Sequence, residues 1–386
     1  MAFTRDHFLQ QPLAEAAFRR HPVQPQMASN DAAFLKSSMT EGVVAGDMDF
    51  QESVVFHAVR GPDAQPHLSP QARALPVLQQ YGRIAITLGD VGVMSPINEE
   101  NLSETERLGL DAFRLRSEQS YRKAKANRPA NALTWGGDGP RAPLDKGDLE
   151  RSFDPPPGAP AAYRLVGRVA AGLVIVSGPG ALAFTQAERT KIVAEVQNAH
   201  AWLSSQSPAK DVTFVPIINQ VDVTAADNPQ GGGYESQEQF WRDEALSQLG
   251  HDAGTAGIAQ FLQSMRQSVA ADYYYCAFFT KYTTFHFAYA HPESAYLVLN
   301  YYNDSWGPDN IDRVFAHESC HIFGAPDEYA LARCECGGSW GVFGRPNINC
   351  ESCAPSGGEP CLMKANTWSM CAMTPYHVGY NGLPAV

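Results

Sequence analysis

Hydrophobic positions follow strand-like and helix-like periods in the first third of the chain. The β-branched runs in FQESVVFHAVRG (50–61) and GRIAITLGDVGVM (82–94) predict strands. Residues 103–127 have the periodicity of a helix. Ser103, followed three residues later by Glu106, makes a capping box that predicts where this helix begins. These patterns predict two strands followed by a helix.

Beyond residue 162, predicted strands and helices alternate. Thr185 and Glu188 form a second capping box, at the start of a helix predicted over 185–206. Further strands are predicted over 163–178, 211–224, 274–290 and 294–304, and further helices over 236–250, 257–273 and 308–324. This order predicts an α+β fold with α/β-like alternation, in which a twisted mixed sheet precedes a last helix.

The segment between these two parts is rich in glycine and proline and has almost no periodicity. It spans 128–162 and is the best candidate for a domain boundary. A chain of 386 residues is long for one hydrophobic core, so two domains are expected. We predict an N-terminal domain of unknown fold over 1–155, which serves as a pro-segment or an accessory domain. A second domain is predicted over 160–386.

Charge and hydropathy exclude two classes of function. The formal net charge is −12 at pH 7, so a basic face that binds nucleic acid is not expected. The most apolar run, residues 165–184, is interrupted by Arg168 and by glycines. It therefore predicts a strand and a turn, and we predict no transmembrane segment.

The sequence HESCHIFGAPDEY (317–329) concentrates the candidate chemistry. His317, Glu318 and His321 form the pattern H-E-x-x-H. Helical residues four apart lie on one face, so both imidazoles can reach one metal ion. Imidazole suits Zn²⁺, whose catalytic sites have three protein ligands and an open position for water. Glu318 is close enough to that position to act as a general base.

The residues after this pattern predict a third ligand. Gly324 can adopt the left-handed conformation that ends a helix, and Pro326 cannot continue it. The turn would bring Asp327 back toward the metal. The extended pattern H-E-x-x-H-x-x-G-x-x-D thus offers two histidines and a carboxylate to one catalytic Zn²⁺. Glu351 or Glu359 as a more distant third ligand is the alternative.

The stretch HESCHIFGAPD resembles the extended zinc motif of the metzincin metallopeptidases. Asp327 stands where most of them have a third histidine, as in the snapalysin type. The resemblance implies a metzincin-type catalytic domain with a methionine turn beneath the metal. Met363, in PCLMKANTWSMCAMT (360–374), matches that turn best, and Met370 and Met373 are the alternatives.

The activity implied by this resemblance is that of a zinc-dependent endopeptidase acting on proteins or peptides. Zinc would polarise the scissile carbonyl, while Glu318 takes a proton from water and passes it to the leaving amine. The alternatives are a metal-dependent hydrolase of non-peptide amide bonds and a zinc-binding module without catalysis. Many metzincins have a tyrosine where this chain has Ala365, so Tyr376 is the candidate for an oxyanion or substrate contact. Glu328 is expected to orient or cap, and His377 to be structural.

Six of the eight cysteines lie in a cysteine-rich part over 334–371. They are Cys334, Cys336, Cys350, Cys353, Cys361 and Cys371. Their spacing resembles the disulfide-bearing loops of the reprolysin branch, and three disulfides are favoured over a second, structural Zn²⁺ held by the first four thiolates. A structural Ca²⁺ is a further alternative. Cys276 and Cys320 are expected to be buried free thiols.

Two further expectations concern the compartment and the N-terminal region. Disulfides favour an oxidising compartment, but the first residues lack the apolar core of a secretory signal peptide. We predict a secreted or extracytoplasmic protein exported by another route, with a cytoplasmic location as the alternative. Residues 1–155 are a candidate intramolecular inhibitor, as in a zymogen. Since no cysteine precedes Cys276, inhibition would depend on a carboxylate such as Asp47, Asp49 or Asp90, on a histidine, or on steric cover.

Overall fold

The computed structural model gives the fold of six stretches of the chain. They are residues 43–44, 51–56, 76–88, 99–135, 163–229 and 232–384. Asp47, Asp49 and Asp90, the candidate inhibitory carboxylates, lie outside these stretches. Residues 136–162 of the predicted boundary segment also lie outside them.

The described residues before the boundary segment contain four strands and two helices. They are β1 (Val43–Val44), β2 (Gln51–Phe56), β3 (Val77–Tyr81), β4 (Ile84–Leu88), α1 (Glu104–Ser117) and α2 (Gln119–Ala126). The capping box of Ser103 and Glu106 is present, which confirms the predicted start of the helix. The predicted single helix is interrupted at Glu118, whose backbone is extended with φ −68° and ψ 140°.

The predicted alternation of strands and helices after residue 162 is confirmed. The elements are β5 (Gly167–Ser177), α3 (Gln186–Gln206), β6 (Val212–Asp222), α4 (Tyr234–Gln248), α5 (Gly254–Ser268), β7 (Tyr273–Thr280), β8 (Ala288–His291), β9 (Tyr296–Asn300), α6 (Ile311–Ile322), β10 (Gly337–Trp340), β11 (Arg345–Asn347) and α7 (Thr374–His377). The second capping box, of Thr185 and Glu188, begins α3 as predicted.

Nine of the described strands form one mixed sheet in the order β1-β2-β4-β3-β6-β5-β7-β9-β8. The five central strands β3, β6, β5, β7 and β9 run parallel to one another. The pairs β1·β2, β2·β4 and β4·β3 at one end of the sheet, and β9·β8 at the other, are antiparallel. The predicted α+β fold with a mixed sheet is therefore confirmed. The division at residues 155 and 160 stays a prediction, although strands from both sides of it share this sheet.

Helix α6 packs directly on one face of the sheet. Phe315 of α6 stacks on Phe279 of β7, with ring centroids 5.9 Å apart. Trp241 of α4 contacts the preceding residue of β7, Phe278, at 6.1 Å. Neighbouring residues of a strand point to opposite faces, so α6 and α4 cover opposite faces. Every residue of α6 is buried. Among the described helices, none is long and apolar enough to cross a bilayer.

Buried ion pairs attach α2 and the residues after it to the start of α6. Asp312 of α6 pairs with Lys125 at 2.8 Å and with Arg128 at 2.9 Å. Lys125 also pairs with Glu195 of α3. All four side chains are almost completely buried. Because removing one partner of a buried pair costs about 3–5 kcal/mol, these contacts hold α2 firmly against the helix that carries the motif.

Candidate metal centre

The last turn of α6 and the turn after it bring three acceptor atoms together. His317 and His321 lie one helical turn apart, and their Nε2 atoms are 3.0 Å apart. Gly324, with φ 97°, ends the helix in the left-handed conformation, and the chain returns at Asp327. Oδ1 of Asp327 lies 3.2 Å from Nε2 of His317 and 3.3 Å from Nε2 of His321. The three predicted ligands thus meet at one point.

The hydrogen bonds of the two Nδ1 atoms determine that the Nε2 atoms of His317 and His321 face Asp327. Nδ1 of His317 donates to the carbonyl oxygen of Leu362 at 3.1 Å, and Nδ1 of His321 donates to that of Ala325 at 2.8 Å. A carbonyl oxygen only accepts, so each neutral ring carries its proton on Nδ1 and presents the Nε2 lone pair. Apart from these imidazoles, Oδ1 of Asp327 has no hydrogen-bond partner among the described residues. Three buried acceptors facing one another fit a Zn²⁺ ion.

In the metal-free protein, burial and neighbouring charges shift the pKa values of His321, Asp327 and Glu318. Burial alone would lower the pKa of His321, but the Asp327 carboxylate raises it to about 9. Burial would raise the pKa of Asp327, yet the imidazoles hold that pKa well below its usual range. Burial also raises the pKa of Glu318, although the two histidines oppose the shift. A raised pKa makes Glu318 a stronger base than an exposed carboxylate.

The loop that contains Met363 lies beside the centre. Its neighbour Leu362 accepts the His317 hydrogen bond, and its own carbonyl oxygen accepts from the backbone amide of Glu328 at 2.9 Å. The Met363 side chain is fully buried in the core that also contains α6. Met370 and Met373 are only partly buried and pack against this core. These positions favour Met363 as the turn methionine, whose role stays a prediction.

Trp135 was not predicted from the sequence and lies against the centre. Its ring centroid is 5.4 Å from that of His317. Its Nε1 donates at 2.5 Å to the carbonyl oxygen of Leu362, which also accepts from His317. Trp135 follows α2 in the glycine- and proline-rich segment, where no local pattern indicates a contact with the motif. Only the tertiary structure reveals it.

The hydroxyl of Tyr376, predicted to lie at the centre, makes its hydrogen bond elsewhere. Tyr376 donates instead to the carbonyl oxygen of Pro384 at 3.0 Å. Tyr329 lies closer, with its ring centroid 6.4 Å from that of His317. Burial and the carboxylates of the motif raise the pKa of Tyr329 well above its usual value. The signal for Tyr329 was present in the sequence, since it ends the segment HESCHIFGAPDEY.

The other carboxylates and the histidine considered as ligands lie elsewhere. Glu351 accepts from the backbone amide of Ala330 at 2.8 Å, and Glu359 accepts from that of Ala372 at 2.8 Å. His377 is fully buried and donates through Nε2 to a backbone carbonyl at 3.3 Å, which is a structural contact. These positions leave Asp327 as the third acceptor beside the two motif imidazoles.

The eight cysteines, all within the described residues, form two disulfides and leave four thiols free. Cys334 bonds to Cys350 and Cys336 bonds to Cys353. Disulfides are therefore confirmed for these four residues, and a zinc site built from their thiolates is wrong because the sulfurs are already bonded. The free thiols, all buried, are Cys276, Cys320, Cys361 and Cys371. Burial of the first two confirms the prediction for them.

The predicted third disulfide is not formed: Cys361 and Cys371 are free thiols that lie among other polar groups. Sγ of Cys371 lies 3.0 Å from Oε1 of Glu328, within hydrogen-bond distance. A hydrogen bond from Cys361 lowers the pKa of Cys371 to about 5, and burial together with Cys371 raises the pKa of Glu328 to about 8. Glu328, expected to orient or cap the motif, thus lies among thiols.

Neither a protein-family model nor a curated protein matches the chain. Among solved structures, a zinc-dependent peptidase from Methanocorpusculum labreanum (strain Z) is similar, with 12% sequence identity and a TM-score of 0.30. The similarity covers 54% of this chain and 100% of that one. A likeness this weak does not assign the chain to a family.

Proposed function

We propose that the chain is a zinc-dependent endopeptidase of metzincin type, with His317, His321 and Asp327 as the zinc ligands. The observation that supports this proposal most is the convergence of their acceptor atoms, separated by 3.0, 3.2 and 3.3 Å, beside the buried carboxyl of Glu318. Two imidazoles and one carboxylate leave a position of a four-coordinate zinc open, as in catalytic sites.

Glu318 moves the protons of the reaction. Zinc bound at the centre would polarise the scissile carbonyl and increase the acidity of water. The Glu318 carboxylate takes a proton from the attacking water and, once protonated, gives it to the leaving amine. The carbonyl oxygens of Leu362 and Ala325 hold both imidazoles in their ligand orientation, so binding needs little rearrangement.

Strand β8 is the proposed partner of an extended substrate. It is the terminal strand of the sheet, and among the described strands it pairs only with β9. Its backbone can therefore form an additional ladder with a peptide in the extended conformation. The side chains of Ala290 and His291, at the end of β8, are partly exposed.

The substitution Glu318→Gln tests the proposal. We expect peptide hydrolysis to fall by about 10²–10⁴-fold, because the amide cannot accept the proton, while the zinc content of the protein is unchanged. Glu351→Gln is the matched control, since Glu351 binds a backbone amide outside the centre. Hydrolysis that survives Glu318→Gln would contradict the assignment of the base.

Mass spectrometry of the products from a peptide mixture distinguishes the alternatives. Cleavage at internal peptide bonds supports an endopeptidase. Turnover of small amides without peptide cleavage would indicate a hydrolase of non-peptide amide bonds. Zinc binding without turnover by the unmodified chain would indicate a binding module.

Location and inhibition are further proposals. The two disulfides are typical of an oxidising compartment, and we propose an extracytoplasmic location. If the N-terminal region inhibits the centre and is removed by cleavage, the cut would fall before Val43, because strands β1 to β4 all belong to the nine-stranded sheet. Peptide hydrolysis that rises after such a cut would support inhibition, and unchanged hydrolysis would contradict it.

A further inference from the structure

Four side-chain atoms converge in a buried cluster on the cysteine-rich side of the motif. Sγ of Cys371 lies 3.0 Å from Oε1 of Glu328 and 3.2 Å from Oγ1 of Thr374. Oγ1 of Thr374 lies 3.3 Å from Sγ of Cys361 and 3.5 Å from Oε1 of Glu328. All four residues are at most 1% exposed. We propose that this thiol–carboxylate cluster binds a second, structural Zn²⁺ through Cys361, Cys371 and Glu328.

The spacing of these atoms fits a zinc tetrahedron. Zn–S bonds of about 2.3 Å and Zn–O bonds of about 2.0–2.2 Å place neighbouring ligand atoms about 3.4–3.8 Å apart. The two sulfurs and the carboxylate oxygen all lie within 4.8 Å of one another. The shortest separation in the cluster, 3.0 Å, needs to open by only about half an ångström to fit those bond lengths. The hydroxyl of Thr374 stands at the fourth corner.

Glu328 is held with one oxygen toward the thiols. Nδ2 of Asn349 donates to its Oε2 at 2.6 Å, which leaves Oε1 facing Cys371. Its backbone amide donates to Met363 at 2.9 Å, and its carbonyl oxygen accepts from Glu351 at 2.8 Å. Metal-binding carboxylates are regularly oriented by hydrogen bonds from neighbouring groups to their other atoms.

A third disulfide is the competing explanation for the two thiols. The structure forms two S–S bonds close by, in the cysteine-rich part, yet leaves Cys361 and Cys371 unbonded. A disulfide would explain the two sulfurs but not the buried carboxyl and hydroxyl that point at them. Burying such groups against a disulfide costs free energy, because its sulfurs are weak hydrogen-bond partners. A cation satisfies all four atoms together.

The second site would fix two parts of the catalytic centre. Glu328 directly follows Asp327, and Cys361 directly precedes Leu362, whose carbonyl oxygen accepts from His317. Zinc in the thiol–carboxylate cluster would therefore connect the turn that carries Asp327 to the loop whose Leu362 carbonyl orients His317. None of its ligands is a ligand of the catalytic centre, so the inference does not depend on the proposed peptidase activity.

Metal content and thiol count of the full chain, purified without reductant, test the inference. We expect about two zinc ions per chain, and four thiols titratable in denaturant with a chelator, which are the four free cysteines. Cys371→Ser should reduce the zinc content by about one ion, whereas the matched control Cys276→Ser should not change it. About one zinc with only two of those thiols titratable would show a Cys361–Cys371 disulfide and overturn the inference.

Cobalt substitution provides a second test that needs no variant. Co²⁺ bound by cysteine has a thiolate-to-metal charge-transfer band, which a centre of two histidines and an aspartate lacks. We expect this band in the unmodified chain. Its absence, with all four thiols free and the catalytic centre loaded, would also overturn the inference while leaving the proposed peptidase unaffected.

Discussion

Residues 311–329 and residues 99–135 both reach the metal centre, but they do so by different means. The first segment supplies three acceptor atoms and the proposed base, Glu318, through one helix and one glycine turn, whose spacing is visible in the sequence. The second supplies Trp135 beside His317 and the cations that pair with Asp312. The motif thus contains the residues of the proposed chemistry, and a distant segment positions the helix that carries it.

The largest effect is expected where the two segments are joined. Asp312→Ala leaves the buried Arg128 guanidinium without its carboxylate, so we expect a loss of about 3–5 kcal/mol in the free energy of unfolding. Asp309→Ala is the control, because Asp309 pairs with Lys191 and is 36% exposed. That change should cost about 1 kcal/mol or less. Equal losses in urea denaturation would mean that the buried pairs do not hold the segments together.

Trp135→Phe tests whether residues 99–135 act on the centre itself. The change keeps a ring beside His317 but removes the donor to Leu362, which also accepts from His317. We expect zinc affinity to fall by about tenfold, measured as peptide hydrolysis at buffered free zinc concentrations. Trp340→Phe is the control, since Trp340 loses a similar bond, to Gly337, outside the centre. Identical zinc dependence in both variants would mean that residues 99–135 contribute to stability and do not affect zinc binding.

The motif segment alone should determine the pH dependence of zinc binding at the catalytic centre. His321 has its pKa raised to about 9 in the metal-free protein, so below that pH it carries a proton that zinc must displace. Zinc affinity should therefore rise with pH, by about tenfold per unit between pH 7 and 9, and level off above. The same zinc-buffered hydrolysis assay measures it. A flat profile over this range would show that His321 is neutral before zinc binds.

Tyr376→Phe should have the smallest effect and tests the prediction made from the family resemblance. Because the hydroxyl donates to Pro384, we expect unchanged kcat and a loss of about 1 kcal/mol in stability. Tyr380→Phe is the control, since it loses a comparable bond to the carbonyl oxygen of Leu203. A fall in kcat of about tenfold or more in Tyr376→Phe, but not in Tyr380→Phe, would show that the Tyr376 hydroxyl acts at the centre.

Local patterns predicted what depends on neighbours in sequence. Both capping boxes, the end of α6 at Gly324 and the burial of Cys320 follow from residues a few positions apart. The mixed sheet followed from the alternation of elements.

Contacts between distant residues were not predictable in the same way. Trp135 lies in a segment interpreted as a domain boundary, and its partner Leu362 lies in the cysteine-rich part, 227 residues later. The position of Cys361 and Cys371 among polar groups, rather than in a disulfide, depends on where Glu328 points after the turn. Such contacts follow from packing, which single-sequence patterns do not encode.

Removal and return of zinc test the central claim most directly. The full chain is treated with a chelator, dialysed and assayed on a peptide mixture before and after addition of Zn²⁺ or Mg²⁺, with products identified by mass spectrometry. We predict that internal peptide bond cleavage is lost on chelation, returns with Zn²⁺ and not with Mg²⁺, and never returns in His317→Ala. Cleavage that persists in the zinc-free protein would contradict the account.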